Sequence, residues 1–90
     1  MSDIRNNTDR HRFELDLDGH TAFADYELAN GTMVFTHTEV PDALAGRGVA
    51  SRLVQGALAA ARADGRKVVA KCPFVAGYIQ KHPEFKELLA

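Results

Sequence analysis

The chain has 90 residues, a formal net charge of −1, 46% hydrophobic and 26% charged residues. That is enough for one small core and too little for two domains. The balanced charge and the thin basic cluster Arg66-Lys67 with Lys71 exclude a nucleic-acid binder that works by neutralising phosphates.

The opening residues, 1–9, are polar and are expected to form a flexible tail, with the folded domain at 10–90. They lack the apolar stretch of a signal peptide. No apolar run approaches the ~20 residues that cross a bilayer. The lone Cys72 rules out an internal disulfide and fits a reducing, cytoplasmic setting.

Arg12 to Leu17 alternates polar and apolar residues, the period of a half-buried strand. Asp18-Gly19 is a tight-turn pair, and a second alternating segment runs from Thr21 to Leu28. Asn30-Gly31 repeats the hairpin signal, and Thr32 to Val40 is rich in β-branched and aromatic residues. Three antiparallel strands in a meander are therefore expected. Pro41 ends the pattern, and residues 42–48 read as a loop.

Val49, Ala50, Leu53, Val54, Ala57, Leu58 and Ala61 then share one helical face, closed by Gly65. Lys67 to Lys71 reads as a fourth strand, its Val68-Val69-Ala70 core suiting a central place covered on both faces. It should run parallel to the strand before the helix. Pro73 opens a short helix through Phe74, Val75, Tyr78 and Ile79, and a last turn follows His82-Pro83. The expected fold is α+β with the order β-β-β-α-β-α.

Gly46-Arg47-Gly48-Val49-Ala50 joins a strand to a helix. Amides at a helix start have no intrahelical partners, and glycines let the backbone come close to an anion. A diphosphate fits such a place, with Arg47 or Arg52 adding charge. A bare tight entry into a helix uses the same residues. The absence of Gly-Lys-Ser/Thr excludes a nucleotide P-loop.

The run from His37 to Val54, containing His37-Thr38-Glu39-Val40-Pro41 and Gly46-Arg47-Gly48-Val49-Ala50-Ser51-Arg52, resembles the acetyl-CoA-binding segment of the GCN5-related N-acetyltransferases. With Val69 to Val75, Tyr78-Ile79 and His82-Pro83, it resembles their minimal single-domain branch over about residues 10–88. Where the family loop opens on Gln or Arg, this chain has Ala43. The resemblance implies a mixed sheet of that family. It implies acetyl-CoA as the donor and an acceptor that is an amine, small molecule or protein lysine. Cofactor contacts are implied for Val40, Gly46, Arg47, Gly48, Val49, Ala50, Ser51 and Arg52. The helices that larger members place ahead of this segment are missing, so the acceptor site is expected to be open or borrowed. An acyl-CoA-binding module without turnover is the alternative.

Four residues can carry the chemistry. Cys72 ends the fourth strand and can take an acyl group or fill core space. Glu39 and His37, two apart on one strand, share a sheet face, and either can be a general base. The resemblance implies Tyr78 as the acid that protonates the thiolate; a packing aromatic is its other reading. No metal-ligand spacing is present, and a cytoplasmic monomer is expected.

Overall fold

The computed structural model describes residues 4–90. It contains strands β1 (Ile4–Asn7), β2 (Arg12–Leu17), β3 (His20–Ala29) and β4 (Thr32–Glu39), helix α1 (Val49–Ala63), strand β5 (Lys67–Ala70) and helix α2 (Pro73–Lys81). Short 3-10 turns occupy Asp42–Leu44 and Pro83–Leu88. The α+β class and the mixed sheet hold. The order gains one strand: β1 to β5 lie side by side in sequence order, antiparallel except for the β4–β5 pair.

The extra strand corrects the expected tail. Residues 1–3 lie outside the described residues, but Ile4–Asn7 pairs with Leu15–Arg12. The segment has a single large apolar residue, so its pattern is silent. It is held by contacts from elsewhere. Arg5 pairs with Glu14, and Asn6 accepts from the Tyr26 hydroxyl at 2.6 Å. Ile4 packs on α1 at Gly56, where an added Cβ would come within 2.4 Å of its Cδ1. The other edge also differs from expectation. β5 is the last strand of the sheet, not a central one, and only Val68 is fully buried. A bridge from Leu89 and a hydrogen bond from Ala90 N to Val68 O cover part of its outer edge.

Both predicted hairpins form. Asp18, Gly19, Asn30 and Gly31 all have positive φ, the pairing that matches the twist of the flanking strands. Phe13, Leu15, Ala22, Ala24, Tyr26, Met33 and Phe35 point to one sheet face. Against this face α1 lays Val49, Leu53, Val54, Ala57, Leu58 and Ala61. Each large apolar side chain so enclosed contributes roughly 1.5–3 kcal/mol relative to exposure. The opposite face is charged. Its buried centre is Glu14, bound by Arg5, Arg12 and Asn7. Among the described residues, no helix is long and apolar enough to cross a membrane.

Candidate functional site

The site lies where β4 and β5 part. Their parallel pairing ends at Phe35–Ala70. The Phe35 carbonyl accepts from both Lys71 N (3.0 Å) and Cys72 N (3.1 Å), which turns the second chain away into α2. β4 continues alone on that side. A register shift opposite Asp25/Tyr26 leaves Thr36 as an extra residue in β4. Such a bulge bends the strand and re-aims the side chains beyond it. Along residues 36–39, the edge facing away from β3 has no strand partner among the described residues.

The bulge sorts the predicted chemical residues onto two faces. Thr38 pairs with Ala24 and so points to the core face. His37 pairs with Asp25 and Glu39 with Phe23, on the charged face. His37 Nε2 lies 3.2 Å from Glu39 Oε1, and both side chains are exposed. The His37 ring also packs 6.2 Å from that of Phe23. Cys72 lies on the other side, with its Sγ donating to Thr38 Oγ1 at 3.4 Å. Among the described residues, no hydrogen bond or ion pair joins the His37–Glu39 pair to Cys72.

Cys72 is a buried free thiol at the N-cap of α2. Burial pushes its pKa up. Hydrogen bonds from the Thr38 hydroxyl and the backbone of Val75, Phe74 and Thr38 outweigh that and hold it below the usual thiol value. Tyr78 moves the other way: burial, and then the charge of Glu84, raise its pKa and keep the phenol protonated. Its ring lies flat on that of His82, with centroids 3.9 Å apart. Thr38 and His82 were not singled out by sequence reasoning. Both stand in runs that carry the family resemblance, but their partners lie on other elements or one helical turn away, so the sequence showed no role for either.

The glycine loop takes the form expected of it. Gly46 and Gly48 have φ of +76° and +70°. Buried Leu44 pins the loop from the preceding 3-10 turn. Gly48 is the N-cap of α1, and its carbonyl takes the Arg52 amide at 3.1 Å. The amides of Val49, Ala50 and Ser51 precede that first helical bond. Among the described residues no side-chain cap hydrogen bond closes this helix start, and no acidic residue lies in the first turn. Unsatisfied donors at a positive dipole end suit an anion. Arg47 Nη1 donates to Asp18 Oδ2 at 2.7 Å, bracing the loop against the first hairpin. Arg52 is exposed one turn into the helix.

Among the described residues, two cavities adjoin this helix start. One, of about 270 Å³, runs over Val40, Leu44, the glycines, Val49–Ser51 and Phe74. The second, of about 230 Å³, lies between α1 and α2 over Ser51, Pro73, Phe74, Gly77, Tyr78, Lys81 and His82. They share Ser51 and Phe74, so they form neighbouring stretches of one groove leading from the loop to the phenol. Phe74 leaves 40% of its surface exposed there, apolar area that a ligand can cover. The donors, the apolar walls and the lack of acidic residues at the helix start all fit a long diphosphate ester such as coenzyme A.

Comparison with known proteins gives the family and the fold. Residues 12–88 match the family model described as GCN5-related N-acetyl-transferase. The mouse protein NATD1 is 31% identical over 83 residues, covering 89% of this chain and 76% of that protein. The solution structure of a GCN5-like protein from Staphylococcus aureus superposes with a TM-score of 0.74 at 25% identity, over all of this chain and 91% of that one. With the family model spanning nearly the whole sheet and both helices, the chain belongs to the GCN5-related N-acetyltransferase family.

Proposed function

We propose that this protein transfers an acetyl group from acetyl-CoA to a primary amine. One observation carries the reading: the uncapped α1 start opens into a groove that runs past Phe74 to Tyr78, and the parting of β4 from β5 leaves a free strand edge leading to Val40, which lines the same groove. The amides of Val49, Ala50 and Ser51 would hold the diphosphate, with Gly46 and Gly48 allowing its approach and Val40 and Phe74 lining the way. The free edge of β4 would receive the amide-bearing arm, as a sheet edge receives an added strand. When bound, acetyl-CoA supplies a thioester carbonyl open to nucleophilic attack.

The chain's residues then divide the proton work. Glu39, with His37 beside it, takes a proton from the incoming ammonium on the open sheet face. The amine nitrogen attacks the carbonyl carbon, the carbon–sulfur bond breaks, and the new amide nitrogen gives up its second proton to solvent. Tyr78, kept neutral by burial, donates a proton to the departing thiolate. A second route is favoured by the depressed Cys72 pKa. The Cys72 thiolate attacks first and the coenzyme A thiolate leaves and is protonated. The amine then displaces the Cys72 sulfur.

The test is thiol release from acetyl-CoA with a panel of polyamines and lysine peptides. Glu39→Gln and Tyr78→Phe should each slow release about 10²-fold. Cys72→Ser separates the routes: it abolishes release on the relay and leaves most of it on direct transfer. A melting temperature raised by CoA with no release for any amine would identify a binding module instead. No rise in melting temperature would sink both readings.

A further inference from the structure

The last carbonyls of a helix have no partner within it. In α2, one residue satisfies two of them. The His82 backbone N–H donates to Ile79 O at 3.2 Å, and His82 Nδ1 donates to Tyr78 O at 2.9 Å. Donation to a carbonyl places the proton on Nδ1. Pro83 follows, and His82 takes a non-helical conformation at φ −128° and ψ 77°. The imidazole is thereby laid on the phenol ring of Tyr78, 15° from parallel. Phe85 packs on the same phenol, its centroid 6.1 Å away.

A backbone cap alone needs none of this. The second hydrogen bond holds the Tyr78 carbonyl and the stack holds its ring, so both act on one residue, and both rings line the groove between α1 and α2. A separate feature marks that wall. Gly77 is a helix-interior glycine, and a Cβ added there would meet nothing within 4 Å. No packing among the described residues calls for glycine, which weakens a helix relative to alanine. Its effect is to leave the groove wall as bare backbone next to Tyr78.

We propose that His82 is a positioning residue for Tyr78, fixing the phenol in the groove through the stack and the imidazole–carbonyl bond, while Gly77 keeps the adjoining wall clear for the ligand. This rests on the reading that coenzyme A occupies the groove. His82 acts through Tyr78 and gives up no proton to the substrate.

The chain has two tyrosines and no tryptophan, so the Tyr78 ring signals can be assigned in NMR spectra with Tyr78→Phe. His82→Asn retains a donor for the carbonyl but removes the ring; its Tyr78 ring signals should move downfield as the ring current is lost. His82→Phe should keep them upfield. With acetyl-CoA and an amine acceptor, His82→Asn should lower kcat about tenfold through misplacement of the phenol. Its KM for acetyl-CoA should stay within about twofold, and His82→Phe should recover most of kcat. Should His82→Asn not fold, His82→Gln takes its place. Gly77→Ala should melt higher without ligand and lose most of the rise that CoA produces. Unmoved Tyr78 signals in His82→Asn, or an undiminished CoA effect in Gly77→Ala, overturn the corresponding half of the proposal. A wild type that binds CoA but releases no thiol overturns acyl transfer instead; the ring signals and the melting shift still decide these two roles.

Discussion

Thr38 Oγ1 lies 3.4 Å from Cys72 Sγ, joining the bulged end of β4 to the first residue of the α2 turn across a separation of 34 positions. The hydroxyl accepts from the thiol and, when the sulfur ionises, rotates to donate to it. This contact, with the amides of the α2 start, sets the ionisation of Cys72 on the face away from His37 and Glu39.

Thr38→Val should therefore raise the Cys72 pKa, and Thr38→Ser should leave it low. The pH dependence of alkylation by iodoacetamide reads this directly. The linkage has a defined sign. A thiol pKa depressed by folding stabilises the native state above the unfolded value of about 8.5. That stability is lost as pH falls through the depressed native pKa. Wild type should gain on Cys72→Ser in urea unfolding as the buffer is taken from neutral to alkaline, and the gain should shrink in Thr38→Val. Equal alkylation profiles in all three proteins would remove Thr38 from the account.

Gly48→Val should cost about 1–3 kcal/mol, because a β-branched residue is strained at φ +70° although space for the side chain is free. Gly31 makes a matched control at φ +80°, also with open space, in the turn at the far end of β4. Gly31→Val should lose similar stability and keep the CoA-induced rise in melting temperature. Gly48→Val should lose that rise. Equal responses to CoA would move the diphosphate away from the α1 start.

Glu14 is buried on the charged face. Burial raises its pKa, but hydrogen bonds from Arg12 and Asn7 and the charges of Arg12 and Arg5 bring it below the ordinary carboxylate range. The ion pairs then stabilise the fold above about pH 4.3, and that contribution disappears as pH falls through the depressed native value. Glu14→Gln should cost about 1–3 kcal/mol at neutral pH and flatten the acid limb of the stability curve. An acid limb as steep in Glu14→Gln as in wild type would place the titration in other carboxylates.

Local chemistry carried much of this protein in plain view. Asp18-Gly19 and Asn30-Gly31 announced their turns because few residue pairs tolerate two positive φ angles in succession. The period of α1 and the alternation of β2 and β3 announced their buried faces, because one side of each must leave water. The glycine loop was visible for the same reason: backbone exposed at a helix start needs residues without side chains in the way.

What the sequence left open was decided by partners far along the chain. Ile4–Asn7 became a strand because Glu14, Tyr26 and Gly56 receive it, not through any alternation of its own. The bulge in β4 separated Thr38 from His37 and Glu39, and the chain's turn at Phe35 brought Cys72 to the first of these rather than the others. His82 gained its place on Tyr78 only when α2 ended at Lys81, ahead of Pro83, and the imidazole met a carbonyl with no helical partner. Propensity and pattern act over a few residues, whereas a hydrogen bond or a stack between distant positions exists only once the sheet and helices have packed and excluded water.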